Sequence, residues 1–308
     1  MISIVIVNWN SGALLENCVR TLLAHSPECQ IVVVDNASAD SSMNFLDRTG
    51  KDLLILRNSR NAGFAAANNL GWRESGGDII LFLNPDIECL PGSVRSLEQT
   101  LTGDPAIWAV GGRLIGPSGK SQTGFNVRSF PTIGSVASEM FFLDEIWPGN
   151  PWSHAVRPGD GGLPLDVDQP AAACLMVSRT ALESIGGFDE MFYPAWFEDV
   201  DLCLRIRTRG GRILFQPNAR FLHHGGYTLG RISRQDFLES FHTNQIRYFR
   251  KHYGARTATS VRWIISLGLF LRAGLSMLHS PHTEMSRADA SRSFRNAARH
   301  IYGLCEEE

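Results

Sequence analysis

The sequence lacks the cysteine patterns of zinc sites, redox motifs and disulfide frameworks. Its six cysteines are scattered along 308 residues without paired short spacings. No basic segment precedes the first apolar run, and no small-residue cleavage site follows it, so a secretory leader is not indicated. We therefore expect a protein of the reducing cytoplasm.

The sequence also lacks a strong excess of either charge. The formal net charge is -2 at pH 7, and 44% of the residues are hydrophobic. Between Arg220 and Arg272, however, nine Lys or Arg stand against only Asp236 and Glu239. The near-neutral remainder argues against a dedicated nucleic-acid-binding protein, so the basic region is expected to meet another anionic surface, such as a membrane.

No apolar run is long enough to cross a bilayer without interruption. The most apolar segment, WIISLGLFL, lies between Arg262 and Arg272 and is shorter than the roughly 20 residues that a span requires. We predict a helix over about 258–278 that lies on a membrane surface. An internal or dimer helix is the open alternative.

Strand-like and helical patterns alternate along the first part of the chain. Short apolar runs occur at 2–8, 31–34, 53–56 and 79–83, and amphipathic helical patterns follow Ser11 and cover about 64–73 and 93–101. This alternation predicts an α/β fold with a mostly parallel sheet. A long loop region is expected over 115–168, and a strand at 213–215 with a turn at 216–218.

The C-terminal region shows a separate helical pattern. Ser233 and Asp236 resemble a capping box, and Gly254 can end the helix that begins there. We predict two domains, an α/β domain at 1–230 and a helical, basic extension at 231–308.

Polar residues at the carboxyl ends of parallel strands are the first candidates for a ligand site. Asn8, Asp35 and Asp86 all fall there. Asp86 could bind a divalent cation, which prefers oxygen ligands, or it could cap a turn. Asp35 could hold a nucleobase or ribose, or it could form an ordinary Asx turn.

Small residues in NAGFAAANN (61–69) would let a ligand approach the backbone. Asn61, Gly63 and Asn68 are the candidates within it. Such residues also pack helices against sheets, so this segment is weak evidence alone.

Carboxylates follow aromatic residues in YPAWFEDVDLCLR (193–205). Glu198, Asp199 and Asp201 would begin a helix, where acids favour the dipole, but the preceding aromatics, including Trp196, suit a sugar-facing pocket. One acid could then accept a proton from a hydroxyl group. Further on, His223 or His224 could complete a metal or diphosphate site, although a buried histidine is more often structural.

Taken in order, seven segments of the sequence resemble glycosyltransferase family 2 with the GT-A fold. They are most similar to a rhamnosyltransferase-like branch that builds bacterial surface polysaccharides. The segments are VNWNSG (7–12), VVDNASADSS (33–42), NAGFAAANN (61–69), LFLNPD (81–86), GGFDEMF (186–192), FEDVDLCLR (197–205) and HHGG (223–226).

The resemblance implies roles for individual residues. Asp86 would be the last acid of a metal-binding D-x-D element whose first position is Asn84, and the cofactor would be Mg²⁺ or Mn²⁺. Asp199 would be the catalytic base, and His223 is favoured over His224 by the H-x-G-G spacing. The donor nucleotide would be bound by Asn8, Asp35, Asn61, Gly63, Asn68 and Asn84, and the acceptor by Trp196 and Glu198.

The implied reaction is a single displacement with inversion at the anomeric carbon. The donor would be a nucleotide-diphosphate sugar, with rhamnose from dTDP-rhamnose as the first expectation. The acceptor would be a glycan or a polyprenyl-diphosphate-linked sugar. At the inner face of the cytoplasmic membrane, arginines of the C-terminal helices would face headgroups while Trp263, Phe270 and their neighbours enter the interface.

Three other functions are compatible with an α/β fold. A dinucleotide-dependent oxidoreductase needs G-x-G-x-x-G after its first strand, where this chain has NWNSG. A sugar nucleotidyltransferase should have a basic, glycine-rich loop there, and NWNSGALLEN contains no Lys or Arg. A non-catalytic glycan-binding or scaffold protein on the same fold stays open, because fold does not determine function.

Overall fold

A computed structural model describes residues 1–46, 53–154, 156, 162–225, 230, 232–278 and 286–304. The chain forms two compact units. The first comprises Met1–Phe130, Ala155–Pro194 and Glu198–Tyr227, and the second comprises Pro131–His154, Ala195–Phe197 and Thr228–Glu308. The second unit therefore includes the expected extension at 231–308 together with two segments from earlier in the chain, and a domain boundary at residue 230 stays a prediction.

The first unit is built on a nine-stranded sheet within the described residues. The strand order is β3-β2-β1-β4-β10-β6-β11-β5, with β8 paired to β11. The strands are β1 (Ile2–Asn8), β2 (Gln30–Asp35), β3 (Leu54–Arg57), β4 (Ile79–Leu83), β5 (Ile87–Cys89), β6 (Ile107–Ile115), β8 (Leu165–Asp166), β10 (Cys174–Ser178) and β11 (Arg212–His223); β7 (Val127–Arg128) and β9 (Gln169–Pro170) form a separate pair. Because β5, β8 and β10 run against the others, the sheet is mixed but mostly parallel, which confirms the predicted α/β class.

Helices cover this sheet because its central strands are apolar on both faces. Ile4 and Ile6 of β1 belong to the core on one face, and Val5 belongs to the core on the other. Strands that are buried on both faces need helical cover on both. The helices of the first unit are α1 (Leu14–His25), α2 (Phe64–Glu74), α3 (Ser93–Thr102), α6 (Arg179–Ile185) and α7 (Glu198–Thr208).

The second unit is helical. Its helices are α4 (Ile133–Met140), α5 (Leu143–Ile146), α8 (Arg234–Tyr253), α9 (Ala255–Leu278) and α10 (Arg287–Gly303). The predicted start and end of α8 are confirmed, because the Ser233 hydroxyl accepts a hydrogen bond from the Asp236 amide and Gly254 follows with φ of 85°. Gly268 lets α9 approach α4 closely, since an added Cβ would lie 2.6 Å from Met140.

The prediction of a long loop over 115–168 is wrong. This segment contains α4 and α5 as well as strands β7 and β8. A capping box starts α4, in which Thr132 and Ser135 exchange side-chain and backbone hydrogen bonds. The sequence did not predict this short helix because its hydrophobic periodicity is weak. Its start is specified instead by the hydroxyl groups of Thr132 and Ser135.

The predicted turn at 216–218 is also wrong. β11 continues from Arg212 to His223 and pairs with β6 along its length, with a register shift between Gln216 and Arg220. Pro217 falls in this irregularity, where the lack of an amide proton removes no ladder hydrogen bond. The strand therefore carries His223 to the carboxyl edge of the sheet.

Helix α9 is long and apolar enough to cross a membrane by length and composition, and 39% of its most apolar window is buried in the structure. The two arginines that flank its apolar run are buried or half-buried, and the contact of arginines with headgroups stays a prediction. Arg262 is only 8% exposed. Arg272 donates a hydrogen bond to the Glu139 carbonyl at 2.5 Å, and its guanidinium lies 4.0 Å from the centre of the Phe142 ring.

Gly71 of α2 tests how tightly helices pack on the sheet. A Cβ at this position would lie 2.4 Å from Val5 Cγ1 and 3.0 Å from Val34 Cγ2. We expect Gly71→Ala to lower the free energy of unfolding by about 1–3 kcal/mol, because overpacking a close helix contact forces backbone shifts. Denaturant unfolding measures it.

Gly274→Ala in α9 is the matched control, since nothing lies within 4 Å of an added Cβ there. It should be neutral or stabilise by up to about 1 kcal/mol, because alanine favours helix over glycine. Equal effects of the two substitutions would contradict the packing argument.

Candidate active site

Asp35 lies in an ordered polar cluster at the carboxyl ends of β1 and β2. The strand register places Asn8 opposite Asp35, and the Asn8 amide donates to Asp35 Oδ1 at 3.3 Å, to Ser38 Oγ at 3.0 Å and to Ser42 Oγ at 2.9 Å. Asn8 is fully buried. Its side chain therefore supports the loop that carries Asp35, and a direct contact with the donor stays a prediction.

Asn36 connects this loop to the segment that contains Asn61. Its amide nitrogen donates to Asn61 Oδ1 at 2.8 Å, and its oxygen accepts from the Ala62 backbone at 2.9 Å and from Asn58 at 3.0 Å. Asn61 Oδ1 also accepts from the Gly63 amide at 2.9 Å. The Asn61 oxygen is thus occupied by protein donors, a role that its sequence context did not reveal.

Gly63 permits a close approach of the protein's own backbone. It has φ of 86°, and an added Cβ would lie 2.9 Å from the Tyr193 ring and 3.0 Å from the Pro194 carbonyl oxygen. The neighbouring Phe64 amide donates to that same carbonyl at 2.8 Å. Asn68 is buried, and its amide donates to the Phe64 carbonyl inside α2. Ligand contacts by these residues stay predictions.

Asp86 and His223 are brought together although 137 positions separate them in the sequence. β5 pairs with β11 so that His223 stands opposite Ile87, and His223 Nε2 lies 3.5 Å from Asp86 Oδ2. Both side chains are largely buried. The other carboxylate oxygen, Asp86 Oδ1, is buried without a hydrogen-bond partner among the described residues.

His224 has a different environment. Its Nε2 lies 2.8 Å from Glu88 Oε1, and its backbone amide donates to the Asp86 carbonyl at 3.0 Å. Because its ring nitrogen is engaged by Glu88, His224 is less suited than His223 to bind a ligand beside Asp86. The half-buried Asn84 lies two residues before Asp86, and its backbone amide donates to Ala173 at 2.9 Å.

Glu198 and Asp199 begin α7, as predicted. Glu198 is 6% exposed, and its Oε2 has no hydrogen-bond partner among the residues that the structure describes. Asp199 accepts hydrogen bonds from the Val200 amide at 2.8 Å, from Gln169 at 3.3 Å and from the Ala172 amide at 3.4 Å. Asp199 is therefore held in place, and Glu198 has an unused acceptor.

Burial sets the acid–base properties of this pair. It raises the pKa of Glu198 well above its usual range, and the negative charges of Asp199 and Asp201 raise this pKa further. Burial also raises the pKa of Asp199, although hydrogen bonds and the positive charge of Arg128 oppose this shift. A carboxylate with a raised pKa is a better proton acceptor than a free aspartate.

The neighbouring Asp201 and Trp196 are engaged elsewhere. Asp201 forms an ion pair with Arg205 at 2.7 Å, and Arg205 also binds the Gly187 carbonyl at 2.8 Å. Trp196 belongs to the second unit, where its ring contacts Phe237 edge-on at 5.0 Å, and it has a left-handed backbone with φ of 74°. An acceptor contact by Trp196 stays a prediction.

Sequence reasoning missed three residues near this site. Gln122 Oε1 lies 2.6 Å from His223 Nδ1, and the Phe125 ring stacks on the His223 ring with centres 5.3 Å apart. The Arg128 guanidinium lies 5.9 Å from the centre of the Phe125 ring. All three lie in the segment that was expected to be an unpatterned loop, where no motif signalled them.

Comparison with known proteins decides the family. The sequence profile of glycosyl transferase family 2 matches residues 3–156, half of the chain. The chain belongs to glycosyltransferase family 2. It is therefore a glycosyltransferase, and the GT-A fold expected from its motifs is the fold described above.

Two curated relatives of this family 2 enzyme match along most of their length. An N-acetylglucosaminyl-diphospho-decaprenol L-rhamnosyltransferase of Mycobacterium tuberculosis is 26% identical over 91% of this chain and 94% of the relative. Rhamnosyltransferase WbbL of Escherichia coli is 24% identical over 81% of this chain and 92% of the relative.

A solved structure supports the fold of this family 2 enzyme. Mannosyltransferase PcManGT from Pyrobaculum calidifontis, solved with GDP-Man and Mn²⁺, aligns with a TM-score of 0.55 at 16% identity. The alignment covers 100% of this chain and 88% of the mannosyltransferase. This similarity is evidence for the fold alone.

The residues of this family 2 enzyme fit a divalent cation at Asp86. The buried, unpartnered Asp86 Oδ1 is a hard oxygen donor, and two ligands of one such cation typically lie about 3 Å apart, close to the 3.5 Å between Asp86 and His223. Among the described residues no group of three or more His, Cys, Asp or Glu side chains surrounds this point. The protein would thus supply few ligands, as is usual where substrate phosphates complete a Mg²⁺ shell.

Glu198→Gln tests the buried acid pair. Because the folded protein raises the Glu198 pKa, the folded state binds this proton more tightly, and stability falls as the pH rises above the ordinary value of about 4.5. Glutamine removes that penalty, so we expect a Tm increase of about 2 °C or more at pH 8, as roughly 1 kcal/mol would give, and a smaller increase at pH 4.5. Thermal unfolding at both pH values measures it.

Glu183→Gln, at an exposed position of α6, is the control and should change Tm little at either pH. A Glu198→Gln variant that is destabilised at pH 8 would contradict the assigned cost of burial.

Proposed function

We propose that the enzyme transfers a sugar from a nucleotide-diphosphate donor to a hydroxyl group, with inversion at the anomeric carbon. The observation that best supports this proposal is the pairing of His223 with the buried carboxylate of Asp86, whose Oδ1 has no hydrogen-bond partner among the described residues, at the carboxyl edge of a family 2 sheet. A bound Mg²⁺ or Mn²⁺ would neutralise charge on the leaving diphosphate. Asp86 and His223 would hold it.

The donor nucleoside would lie against Asp35. Asp35 Oδ2 carries no hydrogen bond from the described residues, and only the exposed Arg57 approaches it, at 3.8 Å. A carboxylate oxygen in this position can accept from a ribose hydroxyl or from a base N–H group. The hydrogen bonds of Asn8 and Asn36 would keep the surrounding loop in place, while Asn84 would lie near the phosphates.

Asp199 would remove the proton from the acceptor hydroxyl. Its raised pKa suits a general base, and the amide and side-chain donors that contact it fix its orientation before the acceptor binds. Glu198 would accept a second hydrogen bond from the acceptor through its unused Oε2. Since the base acts directly on the acceptor, no covalent glycosyl-enzyme is required.

The relatives guide the choice of substrates. Both named relatives are rhamnosyltransferases, and one acts on a diphospho-decaprenol-linked sugar. We therefore take dTDP-rhamnose as the donor to test first, with a polyprenyl-diphosphate-linked sugar as the acceptor. The protein would then act in polysaccharide biosynthesis at the cytoplasmic face of the membrane.

A donor panel tests the reaction. We expect one nucleotide-diphosphate sugar to release its nucleoside diphosphate with Mg²⁺ or Mn²⁺ and to stop doing so with chelator. Asp199→Asn should lower kcat about 10²- to 10⁴-fold, the range for loss of a general base, with little change in the donor KM. Asp86→Asn should raise the metal concentration for half-maximal rate at least about tenfold.

Asp78→Asn is the control, since Asp78 is 84% exposed and pairs with the N-terminal amine away from these residues. Full activity of Asp199→Asn would remove Asp199 from its role as base. Turnover that persists in chelator would contradict metal use.

The second unit supports a proposal of membrane association. An apolar stripe along α9 faces outward, with side chains 37% to 69% exposed: Trp263, Leu267, Phe270, Leu271, Leu275, Met277 and Leu278. These positions recur at the spacing of one helical face. Exposed apolar patches of this kind mark interaction surfaces.

Charge favours a lipid surface as the occupant of this stripe. Helix α10 packs against α9, and Tyr302 of α10 contacts Trp263 edge-on with ring centres 5.3 Å apart. The same helix exposes Arg292, Arg295 and Arg299. Aromatic rings beside arginines suit the headgroup level of an anionic bilayer.

Vesicle flotation tests the stripe. Wild-type protein should bind phosphatidylglycerol-containing vesicles more tightly than pure phosphatidylcholine vesicles. The double variant Leu267→Ser with Leu271→Ser should lose at least about tenfold in partitioning, because each buried leucine contributes on the order of 1–2 kcal/mol.

The matched control is Leu163→Ser with Met191→Ser, which removes two exposed apolar side chains of the first unit. It should bind vesicles like the wild type. Equal loss in both double variants would contradict the stripe, and retention on membranes after alkaline carbonate washing would show that α9 spans the bilayer.

A further inference from the structure

The side chain of Gln122 contacts His223 at two points. Gln122 Oε1 lies 2.6 Å from the His223 ring nitrogen Nδ1, and Gln122 Nε2 donates to the His223 backbone carbonyl at 3.0 Å. The two residues are 101 positions apart. A single amide therefore contacts both the backbone and the ring of the histidine that faces Asp86.

The backbone contact fixes which way the amide points. If the Gln122 amide were turned over, its oxygen would face the His223 carbonyl oxygen, and two acceptors would lie 3.0 Å apart without a proton. Hence Oε1 faces Nδ1. Since Oε1 can only accept, the proton of the ring must lie on Nδ1.

A neutral imidazole with its proton on Nδ1 has a free lone pair on Nε2. That nitrogen lies 3.5 Å from Asp86 Oδ2, and the other oxygen of the same carboxylate, Oδ1, has no hydrogen-bond partner among the described residues. Metal-binding histidines are commonly oriented in this way, by an acceptor on the nitrogen that does not bind the metal.

The ring and the glutamine are both restrained by their surroundings. Phe125 stacks on the His223 ring at an interplanar angle of 17°. Asn126 holds the segment against β6 by accepting from the Leu114 amide at 2.7 Å and donating to the Leu114 carbonyl at 3.0 Å. Ser121 forms an isolated bridge with Ile115. Gln122 is therefore carried by a fixed piece of backbone.

We propose that Gln122 is a positioning residue that holds His223 in the tautomer protonated at Nδ1, so that Nε2 can bind the divalent cation beside Asp86. This inference rests on the metal use in the proposed function. Gln122 itself touches neither metal nor substrate.

The tautomer can be observed without any metal or turnover. Protein labelled with ¹⁵N-histidine gives long-range ¹H–¹⁵N spectra that distinguish the two tautomers, and His223→Asn assigns the signals. We expect wild type to show His223 protonated at Nδ1. Gln122→Ala should shift it toward the Nε2–H form that free imidazole prefers. Gln122→Glu should keep Nδ1–H because one carboxylate oxygen also accepts there, while the variant loses the hydrogen bond to the His223 carbonyl.

Metal affinity is the second readout. Free Mn²⁺ is followed by electron paramagnetic resonance during titration with Mn²⁺ alone and with Mn²⁺ plus dTDP. Gln122→Ala should weaken Mn²⁺ binding about 10- to 100-fold, the usual cost of removing a residue that orients a metal ligand. Gln122→Glu should stay within about threefold of wild type, as should the control Gln99→Ala on the exposed surface of α3.

The outcomes separate this inference from the proposed function. A Gln122→Ala protein that keeps both the Nδ1–H tautomer and wild-type Mn²⁺ affinity would overturn the role of Gln122 while leaving metal use intact. Wild-type protein that binds no Mn²⁺ and turns over donor in chelator would overturn the metal site itself, and this inference with it. Circular dichroism shows whether each variant is folded. If Gln122 had only a structural role, Gln122→Glu would not be expected to restore the Nδ1–H tautomer and the Mn²⁺ affinity.

Discussion

Two buried carboxylate oxygens without hydrogen-bond donors define the chemistry of this protein. Asp86 Oδ1 and Glu198 Oε2 lie at the carboxyl edge of the sheet and at the start of α7, and neither has a partner among the described residues. A desolvated carboxylate is costly unless something compensates it. Protein donors do not compensate them among the described residues. In the proposed function, a cation at Asp86 and a hydroxyl or a proton at Glu198 would do so.

The asparagines of the loops that carry Asp35, Gly63 and Gln122 are, by contrast, hydrogen-bonded within the protein. The side-chain amides of Asn8 and Asn36 form hydrogen bonds within the loops that carry Asp35 and Gly63. The side-chain amide of Asn126 does the same for the segment that carries Gln122. Buried networks of this kind rigidify the backbone when each member is bonded. Catalytic groups that must be held within a fraction of an ångström benefit from such support. The hydrogen bonds of Asn8 and Asn61 therefore stabilise the loops at this edge of the sheet.

Much of the fold could be predicted because its signals are local. The apolar runs that become β1, β2 and β4 predict buried parallel strands, and their last residues predict the site edge. The meeting of Asp86 with His223 could not be derived from spacing, since it requires β11 to run through the irregularity around Pro217 and to pair with β5. Gln122 was missed for a related reason. Its segment is ordered by side-chain hydrogen bonds to β6, which leave no periodic trace in the sequence.

The contacts of the arginines of α9 bear on how this helix would meet lipid. Arg272 donates to the Glu139 carbonyl and stacks on Phe142, both within the second unit, and Arg262 is buried. A spanning helix would have to give up these contacts and place two guanidinium groups in hydrocarbon, each at a cost of about 2.5 kcal/mol or more. Lying on the surface keeps them and still buries the exposed stripe from Trp263 to Leu278. The balance of these two terms favours a helix that binds the membrane along its length over one that crosses it.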